Sequence, residues 1–222
     1  MNQKKLFIRL ILFFLGMSII QFGVGLSIVT NIGSDPFTVF TQGLSNLLNI
    51  TPGIANRCIL FVLTIGIVLV DRKKINIGTF ISLIGVGYVI DLAIDIFSRF
   101  NIQDHNMFVK ALIVVLVQLI IAVGFSILSA SNLGVAPNDI VPFIIKDKTQ
   151  FQYRWIRMSL DATYLIGGYL LGGIVGLGTV ISMLTLGPFI QVCLPYGEKI
   201  VGFLLSGQND IVKKEKMEEI EA

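Results

Sequence analysis

The chain has 222 residues, 54% of them apolar and only 14% charged, with a formal net charge of +3 and a mean hydropathy of +0.83. A soluble domain carries about 25% charged residues and at most about 50% apolar ones. The composition therefore excludes a water-soluble globule and a disordered chain, and two cysteines exclude a disulfide scaffold.

Met1-Asn2-Gln3-Lys4-Lys5 leads into an apolar run over about 6–30. That run is longer than the ~7–15-residue core of a cleaved signal peptide, and no small-x-small site follows it. A retained first helix is expected. The polar break Asn31-Ile32-Gly33-Ser34-Asp35 comes next, then a short apolar piece at about 36–49 that opens with Pro36. Long runs follow at about 53–70, 77–97 and 108–130. A second break, Ser131-Asn132-Leu133-Gly134, precedes a second short piece, 137–147, which opens with Pro137. Runs at 155–173 and 177–194 and a mixed-charge tail, 207–222, complete the chain. Proline suits a helix's first position, having no N–H to leave unpaired. About 20 apolar residues cross a bilayer, so the six long runs are expected to span it.

Charge decides how the short pieces lie. With the N-terminus inside and six crossings, the cytoplasmic segments hold Lys4, Lys5, Arg9, Arg72, Lys73, Lys74, Lys146, Lys148, Arg154, Arg157, Lys199, Lys213, Lys214 and Lys216. Only Arg57, Arg99 and Lys110 fall outside. A crossing at 36–49 would export the Arg72-Lys73-Lys74 cluster, against the positive-inside rule. The short pieces are therefore expected to be re-entrant or interfacial.

The chain also matches itself. Val24-Gly25-Leu26-Ser27-Ile28 pairs with Val123-Gly124-Phe125-Ser126-Ile127, and Asn31-x-Gly33-x-x-Pro36 with Asn132-x-Gly134-x-x-Pro137. Arg57 pairs with Arg157, and Ile77-Gly78-Thr79-x-x-Ser82 with Leu177-Gly178-Thr179-x-x-Ser182, at offsets of 99 to 101. The polar matches carry the weight, because an apolar alphabet repeats by chance. Residues 1–100 and 101–206 thus read as two repeats of three crossings. An odd number inverts the second copy, the pattern that points to a transporter and to its site at the interrupted segments.

The breaks supply the candidate site. An N-x-G-x-x-P turn leaves N–H groups at the positive end of a short helix, a place for an anion. Asn31, Gly33, Asn132 and Gly134 form the breaks; Thr38 and Asp139 stand at equivalent positions after the prolines. N-capping is the plainer reading of Asn31 and Asn132. Arg57 and Arg157 lie in first turns and read either as snorkelling side chains or as a pair of solute ligands. Arg157 has Asp161 at i+4 to neutralise it, whereas Arg57 has Phe61, which makes Arg57 the expected anion ligand. Asp91 and Asp139 are candidates for ion coupling, Asp91 otherwise being a water-exposed helix end. Gly78-Thr79-x-x-Ser82 and its copy read as close helix packing. Cys58 and Cys193 read as packing within apolar runs. His105 is the only histidine, so no metal site, cofactor or enzymatic activity is expected. The basic residues sit beside apolar runs, so the pI near 8.9 is no nucleic-acid signal.

These residues resemble a known family. The glycine-rich first helix, the G-x-x-P turn, Thr51-Pro52-Gly53 before the next span and the Ile75-x-Ile77-Gly78-Thr79-x-Ile81-Ser82 segment are similar to the bacterial YczE/YyaS/YitT family of membrane proteins, over about 10–195. Members often carry P-W-D after the glycine. This chain has Pro36-Phe37-Thr38 and Pro137-Asn138-Asp139, so only Asp139 fits. The resemblance implies a multi-pass bacterial membrane protein and supplies no substrate.

The expectation is an all-α integral membrane protein in the bacterial plasma membrane, both termini cytoplasmic, with six transmembrane helices as two inverted repeats. The function expected is a small secondary transporter for a small polar or anionic solute. A substrate-capturing subunit of a vitamin-type uptake system and a non-transporting accessory protein are the alternatives. Its partners would be the lipid bilayer, the solute and, if it is a homodimer, a second copy.

Overall fold

The computed structural model describes residues 3–221, with the side chains of Lys4 and of 205–221 outside the described set. The described chain is helical throughout, without strands: α1 (Gln3–Thr30), α2 (Pro36–Leu48), α3 (Pro52–Asp71), α4 (Ile77–Ser98), α5 (Met107–Ala130), α6 (Pro137–Thr149), α7 (Tyr153–Leu170) and α8 (Leu177–Glu221). Prolines open α2, α3 and α6, as expected of residues that cannot donate to a preceding turn. At 1.5 Å per residue, the 13-residue α2 and α6 are about 20 Å long, too short for the ~30 Å hydrocarbon core.

Among the described residues, α1, α3, α4, α5 and α8 are long and apolar enough to cross a membrane, and the protein is an all-helical membrane protein. The expected run at 155–173 departs from this. Its helix, α7, ends at Leu170 and packs Arg154, Arg157 and Asp161 into 18 residues. At the other end, α8 does not stop near 194. It runs through Pro188 and Pro195 to Glu221, because proline is tolerated in membrane helices and the Lys- and Glu-rich tail favours helix. The tail expected as a separate piece is thus continuous with α8 in backbone; its side chains, with those of Lys213, Lys214 and Lys216, lie outside the described set.

Close contacts fix the directions of the helices. Gly16 lies against Gly124 and Leu128, and Gly23 against Val117 and Ile121, so α1 and α5 run antiparallel. Phe13 meets Gly78, Met17 meets Gly85 and Gly25 meets Ala93, so α1 and α4 run parallel. The α5–α8 pair is also parallel, with Gln118 on Ser182 and Ser126 on Gly197. The main core joins Phe13, Met17, Leu60, Val86, Ile90, Leu128 and Leu133. A smaller core of Ile67, Ile140 and Ile144 holds α6 on α3. The short helices cross over: α2 packs on α7, and α6 on α3.

Candidate functional site

Both polar breaks are built alike. Asn31 (φ 57°) and Asn132 (φ 54°) take left-handed backbone just after α1 and α5, and Gly33 (φ 97°) and Gly134 (φ 104°) follow with positive φ. Asparagine tolerates that region better than other side-chain-bearing residues and glycine enters it freely. The two asparagines therefore end the long helices rather than capping the short ones, which corrects the N-cap reading. Each break then docks on the start of a distant helix. Gly178 N donates to Ile32 O at 2.8 Å, and Gly78 N donates to Leu133 O at 3.0 Å. Beside them, Thr179 Oγ1 accepts from Gly176 N at 3.3 Å and Thr79 Oγ1 from Asn76 N at 3.4 Å. Gly78 and Gly178 face backbone carbonyls of the breaks, so their role is close packing.

The short helices' N-termini do not lie open for an anion. At α2, the Asp35 carboxylate accepts from Thr38 N at 3.1 Å, with Ser34 Oγ beside it and Ser27 Oγ donating to Ser34 Oγ at 2.9 Å. At α6, Asp139 stands in the first turn. The chain thus supplies its own carboxylate to each positive helix end, where an acid is stabilised. Sequence comparison pairs Thr38 with Asp139; the structure pairs Asp35 with Asp139 in this role.

The two N-termini converge on one stretch of α7. Arg157 Nη1 donates to Asp139 Oδ1 at 3.2 Å, and its Nε bonds Asp161 Oδ1 at 3.3 Å. The Arg157 side chain is 36% exposed and each carboxylate 26%. Asp35 lies within electrostatic range of both Asp139 and Asp161. Aromatic side chains close the cluster on two sides. Tyr164 packs on Phe37 and Phe40 of α2, with ring centroids at 5.2 and 5.7 Å, and Tyr153 packs on Phe143 of α6 at 4.9 Å. Backbone seats α2 on α7: a Cβ on Gly168 would lie 2.6 Å from Phe40 N, and one on Gly43 would lie 2.5 Å from Gly168 O. Two carboxylates on one guanidinium leave the cluster at −1 when both are ionised, and Asp35 nearby makes it more negative still.

The remaining expected residues lie elsewhere. Arg57 stacks over the Tyr88 ring at 4.1 Å, on α4, and forms no ion pair among the described residues. Asp91 is no free helix end. Its Oδ1 accepts from Gly53 N at 2.8 Å and its Oδ2 from Thr51 Oγ1 at 2.7 Å, which ties the start of α3 to α4. Asn31 lines a cavity of about 250 Å³ with Ser98 and Gln103, and Asn132 is exposed. Cys193 is buried as expected; Cys58 is exposed.

Residues 7–195 match the family model described as Family of unknown function (DUF6198). The chain belongs to this family. Its relatives include a Bacillus subtilis (strain 168) protein described as Uncharacterized membrane protein YczE, 26% identical over 213 residues, covering 95% of this chain and 97% of that one. YyaS of the same organism is 24% identical over 185 residues, 83% of this chain and 92% of YyaS. A Haemophilus influenzae protein is 28% identical over 181 residues, 80% and 79% of the two chains. The resemblance to YczE and YyaS read from the motifs thus stands, and with it the assignment to a family of membrane proteins. No solved structure matches the chain.

Proposed function

We propose that this protein is a proton-coupled secondary transporter for a small anionic solute, and that the Asp139–Arg157 pair is its exchange site. In this reading α7 is a sixth crossing, α2 and α6 are re-entrant, and residues 1–100 and 101–206 are inverted repeats in the bacterial plasma membrane with both termini cytoplasmic. The reciprocal docking of the two breaks supports the repeat. So do the parallel pairs α1–α4 and α5–α8, which are equivalent under it. One observation carries the function: a guanidinium shared between two carboxylates, Asp139 and Asp161, where the ends of two short helices meet.

The chemistry follows from charge compensation. With Asp139 ionised, Arg157 Nη1 is occupied and an anion has no partner. Protonating Asp139 releases Nη1, and an anion takes the carboxylate's place while Asp161 keeps Nε and so holds the guanidinium in orientation. The empty state and the state loaded with one proton and one anion carry the same net charge at the site. A state with only the anion adds a negative charge to a site that is already negative, and carrying it through hydrocarbon is costly. The anion therefore enters with a proton.

Purified protein screened by thermal unfolding against acetate, lactate, amino acids, phosphate and sulfate, at acidic and neutral pH, tests this. A solute binding only the folded state raises stability by about 2.7 kcal/mol at a hundred times its Kd. The expected result is stabilisation by one anion, stronger at acidic pH and lost in Arg157→Gln. Asp139→Asn should bind that anion at either pH. An anion that binds Arg157→Gln as well as the wild type would overturn the assignment.

A further inference from the structure

The face of α2 turned away from α7 has no role in the exchange site. Thr38, Thr41, Gln42 and Ser45 recur at i, i+3, i+4 and i+7 and so form one stripe. Phe37, Phe40 and Gly43, which meet α7, lie on the other side. The stripe is buried, each member at 6% exposure or less. The other helix packed on α2 is α3, joined to it through only Asn49, Ile50 and Thr51. One turn into α3 stands Asn56, 5% exposed.

Two of these polar groups lack a partner. Gln42 Oε1 and Asn56 Oδ1 accept no hydrogen bond in the described structure, although buried amide groups are normally paired. Both are acceptors awaiting donors. The hydroxyls of Thr41 and Ser45 donate to Phe37 O and Ile50 O, which leaves their oxygens able to act as further acceptors. The stripe begins at Thr38, whose N–H is held by Asp35, the carboxylate beside Asp139 and Asp161. It ends at the connection between α2 and α3. The polar stripe of α2 thus runs from beside the exchange site to the connection with α3.

We propose that this α2–α3 seam is the solute's hydrogen-bonding subsite, and that the solute is a small carboxylic acid bearing N–H or O–H donors, an amino acid or hydroxy acid. Placing its carboxylate on Arg157 rests on the exchange-site reading above. The donors then meet the oxygens of Gln42 and Asn56, and the seam is the path by which the solute reaches Arg157. An acid without donors leaves both amides unpaired and is rejected, because an unmet buried acceptor costs more than a lost contact.

Single cysteines at positions 41, 42 and 56, in a Cys58→Ser/Cys193→Ser chain held in nanodiscs, test the seam with a charged thiol reagent. Val39→Cys and Ile59→Cys, at buried apolar neighbours, are the references. Labelling at 41, 42 and 56 should be about tenfold faster than at 39 and 59, since thiol reactivity follows access to water. A mixture of amino acids and lactate should slow labelling at 42, and acetate or propionate should not. Equal rates at all five positions overturn the seam, and equal slowing by propionate, or none by the mixture, overturns the subsite. The labelling rates without solute do not depend on Arg157, so failure of the exchange site appears in the Arg157→Gln binding assay and leaves the pattern of access unchanged.

Discussion

Arg57 and Arg157 occupy matching places in the two halves of the chain, each one turn into a helix that follows a short one. Their surroundings differ. Arg157 is held by two carboxylates, while Arg57 lies on the Tyr88 ring and the nearby Asp91 is spent on the start of α3. The difference is one of partner type. A guanidinium on an aromatic face has nothing to exchange, and a carboxylate bound to backbone N–H and a hydroxyl is a tether. A guanidinium shared by acids that can take up a proton has two states. On the function proposed above, the first half is a clamp and the second a switch.

Substitutions at the two arginines should separate these roles most sharply. Arg157→Gln leaves Asp139 and Asp161 facing each other and Asp35, and should lower stability by about 2–3 kcal/mol, seen as a lower thermal midpoint that Asp139→Asn partly restores. Arg57→Gln loses only its contact with Tyr88, about 0.5–1 kcal/mol, with no rescue by any acid-to-amide change. A cost at Arg57 as large as that at Arg157 breaks the comparison.

Asp91→Ala comes next. It removes both acceptors at the start of α3 and should cost about 1–2 kcal/mol, while the pH dependence of anion binding stays as in the wild type. A changed pH dependence would move the proton site into the first half. Gln42→Leu should act in the opposite direction. Replacing an unpartnered buried amide by an apolar side chain of similar size should raise stability by about 1 kcal/mol and abolish solute protection, the usual exchange of function for stability.

The smallest effects belong to the far ends of the short helices. Asn46 Nδ2 donates to Gly172 O at 2.8 Å, and at the matching position Asp147 pairs with Lys74. One tie is neutral and the other ionic. The hydrogen bond from Lys74 holds the Asp147 carboxyl below its ordinary value. Its contribution is complete above the unfolded carboxylate value of about 3.9 and is lost as pH falls through the lower folded one. Protection from hydrogen exchange in 72–76, taken relative to the intrinsic rate at each pH, should therefore fall in strong acid or high salt, with that in 170–174 unchanged.

Much of this was legible in the sequence because punctuation was local. Pro36, Pro52 and Pro137 start helices where they stand, and the breaks at Asn31 and Asn132 end helices at the expected residues. The far end of α8 was not, because Pro195 and Gly197 look like stops to a rule learned from water-exposed helices. In the site, the Arg157–Asp161 pair was readable from i,i+4 spacing. Asp139 joins Arg157 across a turn, and Asp91 reaches Gly53 across 38 positions; no periodicity reports either. Asp35 has no acidic counterpart in the matched repeat, yet an acid just before a helix-opening proline is itself an N-cap signal.

The reciprocal bonds from Gly178 to Ile32 and from Gly78 to Leu133 bear on how such a chain is made and inherited. Each half closes the other's break, so neither is a complete folding unit. A gene cut between residues 105 and 106 should yield two fragments that are degraded when expressed singly and accumulate together when co-expressed. On the inverted-repeat reading proposed above, an ancestor of half this length would have had the same need, and would have met it by exchanging these segments with a second, oppositely inserted copy of itself.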